Sequence, residues 1–351
     1  MLCALLLACG PLKADPLTLT DMNGRVVTLP GLPERIVTLP LPAAPTLIAL
    51  DRSARRLVGI QPIARSILTE GPLGRLFPEL ARTDGGFLRS GASAFMPNVE
   101  ALLALEPDLV VQRGELGHAI VEPLEAAGLP LLLVSYGDEA RSLANIRLLG
   151  QGIGQSARAE GFVAWRAETA ERLRARAQGG EPPGVLFLSR SAGGYTTTGG
   201  NTPTDHAIRT AGGRNVAVEL PGSTQVGPEQ LLLWDPQVIV LNSGDPDLTP
   251  ASFAADPILA GLSAVEGARV YKAPTGGYRL EPPGPENPLF WIWLGAVLRP
   301  GAAETLDLRA EFRAGFARLY GAEPADDEID AMLQSVANRD GEAYRALAGA
   351  P

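Results

Sequence analysis

Cysteine is almost absent from this chain. Of 351 residues only Cys3 and Cys9 carry a thiol, and both fall in the first nine positions. That excludes a disulfide scaffold, a Cys-x-x-Cys zinc site, an iron–sulfur cluster and a cysteine nucleophile from the rest of the sequence. Lysine is nearly missing as well. Among 30 basic residues only Lys13 and Lys272 are lysines, and neither sits in a Gly-Lys-Ser/Thr context, so there is no phosphate-binding P-loop. Histidine is limited to His118 and His206, thin for a bare zinc or manganese carrier, in which several imidazole and carboxylate ligands must converge. Basic residues are outnumbered 30 to 39, a net charge of −9, which argues against a nucleic-acid binder with its basic face. No apolar run reaches the ~20 residues of a membrane-spanning helix. Neither Gly-x-Ser-x-Gly nor His-Glu-x-x-His occurs. Gly150, Gly152 and Gly154 resemble a dinucleotide loop only faintly, because they follow a helical pattern and the third glycine falls one residue early. These absences argue against an enzyme, and no catalytic residue, no resident cofactor and no protein-ligated metal is expected.

What is present is ample apolar matter, 46% of the residues, and a length suited to about two domains of ~150 residues each. The first ten residues, Met1 to Gly10, form a short apolar run that reads as the core of an export signal. The usual basic residues in front of it are missing, so translation is expected to start a few codons upstream. Two processing routes fit. Cleavage after Leu12-Lys13-Ala14 leaves a free chain from Asp15; alternatively Leu6-Leu7-Ala8-Cys9 serves as a lipobox and Cys9 is lipidated. Either route places the body outside the cytoplasm, with the periplasm as its address.

Beyond the signal, Asn23-Gly24 between Leu17/Leu19 and Val26/Val27 predicts a hairpin over residues 17–29. Short apolar runs at 36–39, 57–60, 109–111 and 131–134 alternate with helical patterns, and the series repeats at 185–188, 238–241 and 269–271. Such alternation implies parallel sheets with helices on their faces. Residues 286–298, 306–320 and 326–336 read as helices. From 156 to 178 there is no proline and only one glycine, Gly161; Ala159, Phe162, Val163, Ala167, Ala170 and Leu173 recur at helical spacing. This predicts one helix on the order of 35 Å long, ended by Gly179-Gly180. The expected organisation is a signal segment over 1–14, an α/β lobe over 15–155, a linking helix over 156–178, and a second α/β lobe with a helical end over 179–351. The fold class is α/β, two Rossmann-like lobes with a ligand cleft between them.

An internal repeat is the strongest signal. Residues 100–111 (Glu-Ala-Leu-Leu-Ala-Leu-Glu-Pro-Asp-Leu-Val-Val) align without a gap to residues 229–240 (Glu-Gln-Leu-Leu-Leu-Trp-Asp-Pro-Gln-Val-Ile-Val). Each copy is a short helix, a proline that forbids its continuation, and a buried strand. That scheme explains the apolar positions and the proline, but not why a glutamate opens both copies.

With Asp21-Met22-Asn23-Gly24-Arg25, Pro33-Glu34-Arg35-Ile36-Val37, Gly128-Leu129-Pro130 and the late Pro285-Glu286-Asn287-Pro288-Leu289 with Trp291 and Trp293, the order of motifs resembles the substrate-binding proteins of bacterial ABC importers for iron chelates and vitamin B12. The resemblance implies two lobes joined by one long helix, a monomer, and delivery of a small metal chelate to an inner-membrane permease and its ATPase. It also implies that one glutamate per lobe docks on arginines of the permease. Glu100 and Glu229 match those positions. An iron chelate, with ferric siderophore first and haem, cobalamin or an oxyanion such as molybdate after it, is the implied ligand.

Open α/β sheets bind ligands at the carboxyl ends of their strands. In the loops just after the strands, that rule points to Arg113 and Tyr136 on the first lobe and to Arg190, Tyr195, the 223–225 segment, Tyr278 and Arg279 on the second, and Arg89 is added from the glycine-rich loop over 84–91. Arginine forks suit carboxylate and catecholate oxygens, and tyrosine adds a flat face and a hydroxyl. His118 and His206 each open a predicted helix, one per lobe, and are added to the ligand-binding set.

Overall fold

The computed structural model describes residues 15–88, 96–177, 180–192, 194–299 and 306–349. The predicted signal, both cysteines and Arg89 lie outside the described residues. The chain opens with the hairpin β1 (Leu17–Thr20) and β2 (Val26–Leu29), paired Leu17 to Leu29. Gly24 turns it at φ +79°. The Asp21 carboxylate fixes the turn by accepting the N–H of Asn23 at 2.9 Å and of Arg25 at 3.0 Å, and by pairing with the Arg25 Nε at 2.8 Å.

Two sheets follow. The first holds β3 (Ile36–Thr38), β4 (Leu57–Ile60), β5 (Leu109–Arg113) and β6 (Leu131–Val134), all parallel, in the order β4-β3-β5-β6. The second holds β7 (Gly184–Ser191), β8 (Gly194–Thr198), β9 (Arg214–Asn215), β10 (Ser223–Val226), β11 (Val238–Leu241) and β12 (Val270–Lys272). Its parallel part runs β9-β7-β11-β12, and β8 with β10 adds an antiparallel ribbon to the end of β7. Ranked by chain order, the parallel strands of both sheets read 2-1-3-4. The two halves thus share one topology, and the sequence repeat falls on the third strand of each.

The repeat is a joining device. After the helix Val99–Leu103 the chain steps through Glu106 at φ 45° into Pro107; after the helix Pro228–Trp234 it steps through Asp235 at φ 37° into Pro236. A residue before proline is barred from continuing a right-handed helix, and here it takes the left-handed region instead. Just past the proline, the Asp108 carboxylate accepts the Arg35 N–H at 2.9 Å, and the Gln237 Oε1 accepts the Gly184 N–H at 2.8 Å. Arg35 directly precedes β3 and Gly184 opens β7. The same side-chain position therefore clamps the third strand to the first in both lobes.

Between the sheets runs the helix Ser156–Arg176, 21 residues long. Beside it lies Asn287–Leu298, whose 12 residues are all buried. One continuous core takes in these helices, the Leu308–Tyr320 helix and the inner face of each sheet: Ile36, Leu109 and Leu132 from the first, Val185, Phe187 and Val240 from the second. The alternate residues of the same strands face outward into separate cores, Val37, Val110 and Leu133 in one and Leu186, Leu188 and Ile239 in the other, as the two-residue period of a strand requires. The Leu308–Tyr320 helix also reaches the first lobe, where the Arg52 guanidinium donates to the carbonyls of Ala317 and Arg318. Among the described residues no helix is long and apolar enough to cross a membrane.

Some local expectations change. The 223–225 segment is not a loop but part of β10, because it pairs with Thr196 to Thr198 of β8. The predicted helix over 326–336 is two pieces, Asp326–Met332 and Ser335–Asn338, interrupted where Gln334 takes φ 54°. The 150–154 glycines end the helix Glu139–Gly152 and turn at Gly154, φ +73°. They do not bridge a strand to a helix, so no dinucleotide loop exists there.

Candidate functional site

The carboxyl ends of the first lobe's parallel strands open on a cleft of about 370 Å³ between the lobes. The first lobe supplies Leu41 and Pro42 after β3, Arg113 at the end of β5, and Tyr136 and Gly137 after β6; the second supplies Pro203, Pro282 and Pro283. Arg113 and Tyr136 act as one unit. The Arg113 guanidinium lies 5.6 Å from the centre of the Tyr136 ring, and its Nε donates to the Glu115 carboxylate at 2.8 Å. That same carboxylate oxygen accepts the Tyr136 backbone N–H at 3.2 Å. Burial pushes the Tyr136 phenol well above its ordinary range, so it is a neutral hydroxyl throughout the physiological span.

The cleft floor is the segment 281–287, Glu-Pro-Pro-Gly-Pro-Glu-Asn, which proline stiffens. Asn287 staples it: its amide donates to the carbonyls of Leu280 and Pro282, both at 2.7 Å, and its oxygen accepts the Gly284 N–H at 2.8 Å. From the linking helix the buried Arg166 closes the arrangement. It makes a two-pronged pair with Glu139 at 2.7 and 2.6 Å, donates to the Gly284 carbonyl at 2.7 Å, and lies 4.7 Å over the Trp291 ring. One side chain thus joins the first lobe, the cleft floor and the buried helix.

The predicted site residues separate into groups. Arg113 and Tyr136 line the main cleft. Tyr278 and Arg279 border a narrower crevice continuous with it through Pro42, Pro282 and Pro283. Tyr278 is buried, which pushes its phenol up to about 12. The Arg279 guanidinium lies so close on Gly244 that a Cβ there would fall 2.5 Å from its Cζ. Arg190 and Tyr195 sit opposite each other in the β7–β8 ribbon and not among the cleft residues. Arg190 pairs with Asp245 at 3.3 Å, and Tyr195 packs on Phe253 with ring centres 5.6 Å apart. The histidines are not brought together. His118 is solvent-exposed, 4.0 Å from Glu122. His206 stands edge-on to Trp291 at 5.2 Å, and burial pulls its imidazole below the ordinary value. Among the described residues there is no cluster of three or more His, Cys, Asp and Glu placed to hold a metal ion.

Sequence reasoning passed over Arg166, Asn287, Pro203, Pro282 and Pro283 as site residues. The proline run was a usable signal; the role of Arg166 was not, because an arginine in a helix reads as a solvated residue. Glu100 and Glu229 occupy the first turns of their helices, both exposed and without an ion pair among the described residues.

Two lobes of identical strand order around a cleft, joined by one helix, define a bilobal solute-binding protein, and the chain belongs to the periplasmic binding protein family, whose model matches residues 92–275. Among particular relatives, it is 30% identical over 235 residues to the cobalamin-binding protein of Halobacterium salinarum, an alignment that takes in 64% of this chain and spans 58% of that protein's length. It is 26% identical over 320 residues to the molybdate-binding protein MolA of Haemophilus influenzae, covering 83% of this chain and 87% of the other. A periplasmic solute-binding protein of Veillonella parvula superposes with a TM-score of 0.82 at 26% identity, covering 93% of this chain and 99% of that one.

Proposed function

We propose that this protein is the extracytoplasmic binding component of an ABC importer, and that its cargo is a metal chelate with a large organic envelope, a corrinoid in the first place. The observation that carries this reading is the lining of the cleft: among the described residues it consists of prolines, a leucine, a glycine and a tyrosine, with one arginine already engaged by Glu115. A small oxyanion needs several unengaged N–H donors converging on it. A bare metal ion needs clustered ligands. A broad ring with an apolar face and amide edges needs neither, and proline, leucine and tyrosine give it rigid contact area at low entropic cost. The likeness to a cobalamin-binding protein supports the same choice.

The iron chelate is the second reading. A mixed arginine and tyrosine cleft suits it, and of the described arginines Arg113 lines the main cleft, Arg279 borders the adjoining crevice, and Arg190 is paired with Asp245 on the ribbon. Capture is reversible and non-covalent, with delivery to a permease and ATPase through Glu100 and Glu229. The protein works in the periplasm, free after cleavage near Ala14 or tethered at Cys9.

Titration of the intrinsic fluorescence decides among cargoes, since the Trp291 ring packs on Arg166, which donates to the Gly284 carbonyl of the cleft floor. Cyanocobalamin is expected to quench it with a sub-micromolar Kd, with ferric hydroxamate and ferric catecholate chelates at least about 100-fold weaker, a gap of roughly 2.7 kcal/mol. Saturable binding of molybdate or haem without cobalamin binding overturns the corrinoid assignment. Native mass spectrometry of protein taken from the periplasm reads both the carried ligand and the mature N-terminus.

A further inference from the structure

The two copies of the repeat share more than their glutamates. Leu102 and Leu231 occupy matching positions and are wholly buried, anchoring each short helix to its lobe. The next residue in each copy, Leu103 and Leu232, also a matching pair, is exposed, at 45% and 44%. Each stands three residues after its glutamate, the spacing that puts two side chains next to each other on one helical face. Leu233, one residue further in the second copy, is 79% exposed.

A single exposed leucine is ordinary and needs no explanation. An exposed leucine at the same position of both copies, equally exposed and beside a matching exposed carboxylate, is a duplicated patch. The fold does not demand it, because the buried leucine before it already anchors the helix and a polar residue there would fit solvent better.

We propose that Leu103 and Leu232 are the apolar half of the contact whose charged half is Glu100 and Glu229, so that each lobe offers its partner a carboxylate and a leucine side by side. The proposal rests on the reading of this chain as an importer's binding component. The occupant it fits is the extracytoplasmic face of the permease, carrying twice over a cationic side chain next to a shallow apolar depression. The division of labour is physical. Rim charges set the approach and its salt dependence, while desolvated apolar contact sets how long the complex lasts.

The test uses the full protein loaded with cyanocobalamin and the permease–ATPase complex of its host in lipid nanodiscs, with association and dissociation followed separately. The double variant Leu103→Ser with Leu232→Ser is expected to dissociate about tenfold faster at a nearly unchanged association rate. The pair Glu100→Ala with Glu229→Ala is expected to associate more slowly and to lose most of the salt dependence between about 50 and about 300 mM. Leu103→Met with Leu232→Met keeps the apolar surface and restores most of the wild-type lifetime. Val336→Ser, at a residue 81% exposed elsewhere on the molecule, leaves both rates alone. Thermal midpoint and cyanocobalamin affinity verify that each variant is folded. A leucine pair that dissociates like wild type while the glutamate pair still slows association overturns this proposal alone. No binding by wild type, or none of the four residues mattering, overturns the importer docking on which it rests.

Discussion

Arg113 and Tyr136 can be read from the sequence because strand ends are legible, but what they do depends on Glu115, which engages the guanidinium and the Tyr136 N–H together. A different residue gives a sharper test at this scale. The buried Glu286 accepts the N–H groups of Gly277 and Tyr278 at 2.7 and 3.0 Å, holding the loop that carries Tyr278 and Arg279. Burial pushes its carboxyl up to about 7, against the two backbone donors that pull it down. The folded state thus keeps a proton that the unfolded chain releases above its ordinary value. The stabilisation is complete at acidic pH below that ordinary value and is lost as pH rises through about 7. Its size is on the order of 3 kcal/mol. His206 acts in the opposite sense, since burial favours its neutral form and its contribution is lost as pH falls. Comparing wild type with Glu286→Gln isolates the first effect: in urea melts the variant's stability relative to wild type should rise from pH 5 to pH 8. A difference that is flat over that range removes Glu286 from the account.

At the scale of elements, the repeat makes a paired prediction. Glu106 and Asp235 both sit in left-handed backbone before a proline, a conformation that glycine adopts without steric cost. Glu106 is exposed, so Glu106→Gly should raise stability by about 0.5–1 kcal/mol. Asp235 has the same backbone but also accepts the N–H of Ser263 at 2.8 Å and its hydroxyl at 2.7 Å, bonds that hold its carboxyl below the usual carboxylate range. Asp235→Gly loses both and should destabilise by about 1 kcal/mol net. Equilibrium denaturation separates the two signs, and equal shifts in one direction would contradict the account. The helix–proline–strand order of these units was legible because proline forbids helix and apolar runs imply burial. The β8–β10 ribbon was not. Its residues, Gly194 to Thr198 and Ser223 to Val226, are polar and threonine-rich, and their strand character comes from pairing with β7 and not from burial of a face.

At the scale of the whole molecule, the shared core limits how the lobes can move. The linking helix, Asn287–Leu298 and Leu308–Tyr320 all lie in one continuous cluster with both sheets, so ligand capture should tilt the lobes modestly. Arg166 is where this tie meets the cleft. Arg166→Leu leaves the Glu139 carboxylate and the Gly284 carbonyl without their donor and should cost about 3–5 kcal/mol. Arg166→Lys should recover only part of that, since an ammonium cannot span a carboxylate and a second carbonyl as a planar fork does. Ligand affinity should fall along with stability, because the Pro282–Gly284 floor loses its anchor. A variant that keeps full stability and affinity would show that the floor holds without this arginine.

The sequence by itself determined the α/β class, the relatedness of the two halves, the linking helix and the acidic residue that opens each copy of the repeat. Those are local consequences of periodicity, proline and internal likeness, which need no long-range contact to be read. Only the tertiary structure decided which residues make the cleft. It sent Arg190 and Tyr195 to a ribbon and turned His206 toward Trp291. It brought Pro203 and Pro282 opposite Arg113 and Tyr136, and it put the buried Arg166 beneath them. Such a site is assembled from segments scattered along the chain from Leu41 to Pro283, and the packing that joins them leaves no periodic trace in any one of them.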